Sequence, residues 1–128
     1  MEKRTRIFSG RAETAPVFCG RELCHWLTAQ ARSSGLSWRA LLHGADIETT
    51  RGYRIMRGTV CPTRDEALRL AIALRQGQLN ARLILKLACC QPLAPQIRRD
   101  AAILICLEKR MSLPETREFL EAHQLHTV

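Results

Sequence analysis

The chain has 128 residues, enough for one domain that buries its own core without disulfide or metal staples. Apolar residues make up 46%, which excludes a disordered chain, and no apolar run approaches the ~18 residues needed to cross a bilayer. The net charge of +8 is spread along the chain: six basic against three acidic groups over 1–34, seven against four over 35–77, and seven against five over 78–128. That excludes a polybasic tail and suits a folded surface that meets an anion.

Residues 1–18 are polar and irregular, broken at Pro16, and are expected to form a loosely ordered N-terminal arm. Lys3, Arg4 and Arg6 have no apolar stretch behind them, so no secretory signal is expected and the chain reads as cytoplasmic. Its six cysteines, at 19, 24, 61, 89, 90 and 106, should then stay reduced. They form no Cys-x-x-Cys and no finger-like spacing, so they read as structural and no metal is expected. Cys89 and Cys90 are adjacent and cannot both face one core, whereas Cys106 sits in an apolar run and reads as buried.

A first helix is expected over about Gly20–Ala31, with Leu23, Trp26, Leu27 and Gln30 on one face and Gly35 supplying a left-handed cap. Ser37 is a good N-cap for a second helix carrying Trp38, Leu41 and Leu42. Gly44 to Asp46 makes a turn, and a third helix covers about Glu48–Arg57 before Gly58. Arg51, Arg54 and Arg57 recur in it at spacing three, on or near one face. Gly52 inside this helix implies close packing or backbone approach to a ligand. Thr63 with Glu66 is a capping box that opens a helix to about Leu74. A further helix spans about Leu79–Cys89, and two prolines fix the loop Gln91–Gln96. The helix over about Arg98–Lys109 is apolar nearly all round from Ala101 to Leu107 and is expected to be the central buried element. Ser112 with Glu115 is a second capping box, and the last helix runs to about His123. No strand-like alternation competes, so the class is all-α with seven short helices. The core is expected over 19–90, with 91–128 as a helical pair packed on it in the same domain.

Two short helices joined by a tight turn, the second of them basic, have the geometry of a helix-turn-helix DNA reader. Beyond that geometry, the segments Gly52-Tyr53-Arg54-Ile55-Met56-Arg57-Gly58, Pro62-Thr63-Arg64-Asp65, Arg99-Asp100-Ala101 with Ile103–Leu107, and Ser112-Leu113 with Glu115-Thr116 follow in order. Together they resemble small bacterial regulators of the phage lambda repressor/Cro-like (XRE-type) class that carry extra C-terminal helices. The resemblance covers about residues 22 to 125. It implies a lambda-repressor-like core and a repressor-like transcriptional regulator whose third helix reads the major groove of double-stranded DNA. Asp46 stands where the turn usually has Gly, and Glu48 where Ser or Thr usually caps. Glu is a weak N-cap and repels phosphate, so it is expected to weaken DNA binding.

On this reading Thr49, Thr50, Arg51 and Arg54 meet base edges or phosphates. Trp38 and Arg39 approach the backbone at a helix start, and Arg57, Thr59 and Arg64 touch flanking phosphates. The plain alternative is a solvated basic face. Tyr53, between apolar neighbours, is expected to pack. Arg64-Asp65 and Arg99-Asp100 read as local caps and ion pairs at helix starts. The scattered histidines give no Ser/His/Asp set, paired carboxylates are missing, and no Gly-rich loop is present, so no enzyme and no cofactor are expected. The expected partners are double-stranded DNA and a second copy, a homodimer through the C-terminal helices, with no membrane. The alternative is a helical protein–protein adaptor that keeps the fold without tight DNA binding.

Overall fold

The computed structural model describes Phe18 and residues 20–128. Those residues form seven α-helices and no strand: α1 Gly20–Ser33, α2 Trp38–Gly44, α3 Thr49–Met56, α4 Arg64–Leu74, α5 Gln78–Leu87, α6 Arg98–Glu108 and α7 Leu113–Ala122. The all-α class and the helix count match the periodicity of the sequence. The expected N-terminal arm lies outside the described residues except for Phe18, which packs against the core. None of the described helices is long and apolar enough to cross a membrane.

Side-chain caps open α2, α3, α4 and α7. Ser37 accepts from the Ala40 N–H at 3.1 Å and opens α2. Thr63 with Glu66, and Ser112 with Glu115, form complete capping boxes at α4 and α7. Helix ends turn through left-handed residues. Gly35 and Gly58 take this conformation without a Cβ penalty, at φ 72° and 79°. Asp46 takes it at φ 54°, as the turn after α2 requires. There the Ile47 N–H reaches Leu42 O at 3.0 Å and the Asp46 N–H reaches His43 O at 3.1 Å, closing a Schellman turn.

The most enclosed helix is α4, not α6. It packs against α2, α5 and α7 and buries Ala67, Leu68, Leu70, Ala71, Ile72 and Leu74. The expectation for α6 is corrected accordingly. α6 packs chiefly on α5 and α7, so Ile103, Cys106 and Leu107 are buried while Ile105 stays 44% exposed. An apolar run can be wider than the face its neighbours cover. A single core joins both parts of the chain: Leu27, Leu41 and Ile55 belong to the same cluster as Ile103, Leu113 and Leu120.

The Ala45–Glu48 turn brings α3 back across α2. Gly52 is buried there, and a Cβ on it would sit against Leu42, 2.5 Å from its Cδ2. The residue missing its side chain is therefore what sets the close approach of the two helices. α3 also packs on α1, so it is held from two sides while its remaining face is open.

Candidate functional site

The open face of α3 follows from its spacing. Gly52, Ile55 and Met56 are buried, which turns Thr50, Tyr53, Arg54 and Arg57 outward at i, i+3, i+4 and i+7. With Thr59 beyond the helix end they line one shallow groove. Thr59 also closes the helix, its hydroxyl donating to Arg54 O at 3.0 Å. Arg54 and Arg57 are both exposed, and neither guanidinium is hydrogen-bonded or ion-paired to another described residue. Two cations without a partner among the described residues give this groove a positive field at its centre.

A second hollow adjoins it across the turn. Arg39 and His43 of α2, with Glu48 and Thr49 at the start of α3, line it over Leu42 and Ile47. Glu48 does cap α3: its Oε1 accepts the Arg51 N–H at 3.2 Å. Glu48 thus fills the cap position that Ser or Thr usually holds. A carboxylate at a helix start is favoured by the dipole, and this one is also turned onto the backbone rather than outward.

Three of the expected contact residues are used inside the fold. Arg51 forks onto Glu66, Nε to Oε2 at 3.0 Å and Nη2 to Oε1 at 2.9 Å, and Nη2 also reaches Cys61 O at 3.4 Å. A step of three residues rotates 60° short of a full turn, so Arg51 and Arg57 lie well apart around the helix and only Arg54 and Arg57 share the groove. Arg64 is tied more completely. It pairs with both oxygens of Asp100, at 3.3 and 2.9 Å, and donates to Gln91 O and Pro92 O at 3.0 Å each. A guanidinium with that many internal acceptors has little left for a flanking phosphate. Trp38 is half-buried against the core, leaving Arg39 as the exposed cation of α2.

The two Arg-Asp dipeptides do not pair locally as expected; they pair with each other. Arg64 takes Asp100, and Arg99 takes Asp65 at 3.1 Å while donating to His126 O and Thr127 O at 2.9 and 2.7 Å. The starts of α4 and α6 are thereby cross-linked. Nearby, Glu66 serves two partners at once, accepting the Thr63 N–H at 2.8 Å and the Arg51 fork. The Arg51 hydrogen bond, and after it the capping N–H, hold its carboxyl below the usual glutamate range, against burial that works the other way.

Tyr53 was expected to pack. It is instead 48% exposed and belongs to the groove. The signal that finds it is the same-face spacing from Thr50 to Arg57, which includes Tyr53 and leaves out Arg51. Among the described residues, no group of three or more His, Cys, Asp or Glu side chains is placed to share a metal ion.

Comparisons with protein-family models, with curated proteins and with solved structures find no match to this chain.

Proposed function

We propose that this protein is a DNA-binding transcriptional regulator of the helix-turn-helix type, repressor-like, with α3 as the helix that enters the major groove. The observation that carries this reading is the outward stripe of α3. Thr50, Tyr53, Arg54 and Arg57 share one open face, and both arginines lack a partner among the described residues. Arg54 is placed to fork onto a guanine edge, with Thr50 and Tyr53 beside it for apolar and hydroxyl contacts. Arg57 and Thr59, at the helix end, and Arg39, across the turn, suit phosphates that set the register. Arg51 and Arg64 position these groups through the fold instead of touching DNA. Modules of this kind bind as dimers to half-sites about one helical turn apart.

The test is fluorescence anisotropy on duplex DNA from the chain's own upstream region, across a salt series. With Arg39 and Arg57 on phosphates in each of two protomers, log K falls against log salt at a slope of about −4. Arg54→Ala costs about 1–3 kcal/mol on the preferred duplex and relaxes specificity. Arg57→Ala weakens all duplexes alike and reduces the slope by about 1 for each phosphate lost. Binding that ignores salt, or that survives Arg54→Ala with Arg57→Ala, sinks this reading.

A second reading, a protein-docking module, rests on a different observation. Leu79 and Leu83, one turn apart on α5, are 70% and 39% exposed, and Ile97 and Ile105 are 53% and 44% exposed at and on α6. Apolar side chains of that size on two packed helices suit a second copy or another helical protein. No shift of any duplex, together with a stable protein complex lost in Leu79→Glu, favours it.

A further inference from the structure

Two thiols from distant parts of the chain meet at the end of α5. Cys61 lies in the connection from α3 to α4, and Cys90 lies just past Ala88, the C-cap of α5. Both donate to the same acceptor: Cys61 Sγ reaches Ala88 O at 3.1 Å and Cys90 Sγ reaches it at 3.5 Å. Sulfurs that share one oxygen are neighbours. Cys89 makes this possible by taking the left-handed conformation, φ 56°, which leaves its own thiol exposed and turns Cys90 back. Cys61 is exposed, Cys90 is half-buried, and both are free thiols.

Each chain segment of the site is pinned by a guanidinium. Arg51, anchored on Glu66, donates to Cys61 O at 3.4 Å. Arg64, anchored on Asp100, donates to Gln91 O and Pro92 O at 3.0 Å. Burial and the neighbouring thiols raise both cysteines, and the charges of Arg51 on Cys61 and of Arg64 on Cys90 offset only part of that rise. Each guanidinium is itself paired with a carboxylate, so the two pins fix the backbone on either side of the thiols without adding net positive charge.

The number of ligands decides the class of ion. Cys89 acts on both thiols through space, yet no three His, Cys, Asp or Glu side chains among the described residues are placed to share one ion. Structural zinc takes four ligands and calcium six to eight oxygens, so neither fits. Two sulfurs suit a soft cation that is content with two ligands, and thiolates select Cu(I). We propose that Cys61 and Cys90 form a two-coordinate site for a soft monovalent cation of the Cu(I) class. Binding displaces one proton from each thiol: one cation and two thiols give one dithiolate complex of charge −1 and two protons. No electron is transferred. Burial pushes both thiols above the usual cysteine range, so without the ion they are protonated and poor nucleophiles, and uptake strengthens as pH rises. The site is independent of whether α3 meets DNA.

The test is an oxygen-free titration of the reduced full chain with Cu(I), against a chromophoric chelator that outcompetes single thiols. One ion is retained per chain, with about two protons released for each ion. Cys61→Ser and Cys90→Ser each weaken retention at least about tenfold, while Cys24→Ser and Cys89→Ser leave it unchanged. Retention that survives Cys61→Ser with Cys90→Ser, retention that tracks Cys89, or equal uptake of Zn(II) overturns the proposal. Should a variant fail to fold by circular dichroism, the unaltered chain decides. One equivalent of Ag(I) then protects Cys61 and Cys90 together from alkylation, read by mass spectrometry, and alkylation of either one overturns the proposal.

Discussion

Glu66 shows how much one side chain can settle. Its Oε1 closes the capping box of α4, and both its oxygens hold the Arg51 fork, so the start of one helix and the side of another depend on one carboxylate. The side chain is 12% exposed, which limits how far water can screen it. Its folded pKa is depressed by the Arg51 hydrogen bond. A depressed carboxyl stabilises the fold above its unfolded value, about 4.3, and loses that contribution as pH falls through the lower folded value. Glu66→Gln should therefore lower stability at pH 7 and flatten the acid limb of the stability curve below about pH 4. Urea melts from pH 2.5 to 7 check this; parallel curves for the two proteins would show that the carboxylate is not the group responsible.

At the scale of an element, α3 is short, and it is the crossing with α2 that holds it in place. Only eight residues long, it is below the length at which a helix is stable alone, so burial of Ile55 and Met56 has to fix it. Gly52 is the contact that allows this burial. Gly52→Ala places a methyl group against the Leu42 side chain, itself buried, and should cost about 1–3 kcal/mol by overpacking despite the better helix propensity of Ala. Leu42→Ala should relieve part of that cost, so the double variant is more stable than the sum of the single losses. Thermal melts of the three variants decide, and simple additivity would mean that Gly52 and Leu42 do not share the contact. The same crossing orients the outward stripe, so Gly52→Ala should also disturb whatever the groove binds.

In the whole molecule, the crossed Arg-Asp pairs make the C-terminal helices part of the same body as α3. Arg64 with Asp100 and Arg99 with Asp65 tie the starts of α4 and α6, and Arg117 of α7 reaches Asp46 in the turn before α3 at 3.1 Å. The last of these pairs is exposed and contributes little. The Arg64–Asp100 pair differs, because Asp100 is 5% exposed at its side chain and also accepts the Ala94 N–H at 3.0 Å. Removing one partner leaves a buried charge without compensation. Arg64→Ala should cost about 3–5 kcal/mol of unfolding free energy in urea melts, with a single cooperative transition retained. A loss below about 1 kcal/mol, accompanied by weaker DNA binding, would return Arg64 to a phosphate contact.

The helices themselves were legible in the sequence because their signals are local. Ser37, Thr63 and Ser112 announce starts, Gly35 and Gly58 announce ends, and the 3.6-residue period marks the inner faces of α1 and α4. Even the Asp46 turn could be read, since short polar residues tolerate left-handed backbone. What the sequence could not assign is the partner of each charge. Arg51, Arg54 and Arg57 look equivalent in one dimension, yet Arg51 is taken by Glu66 and Arg64 by Asp100, residues brought close only by the packing of α3, α4 and α6. Burial shows the same limit: α6 has the longest unbroken apolar run, Ala101 to Leu107, but α4 is enclosed because it has neighbours on three sides. Secondary structure is decided by a residue and those within four positions of it, whereas a guanidinium goes to the nearest acceptor in space. The tertiary structure therefore chose which cations remain on the open face of α3, and it placed Cys61 beside Cys90.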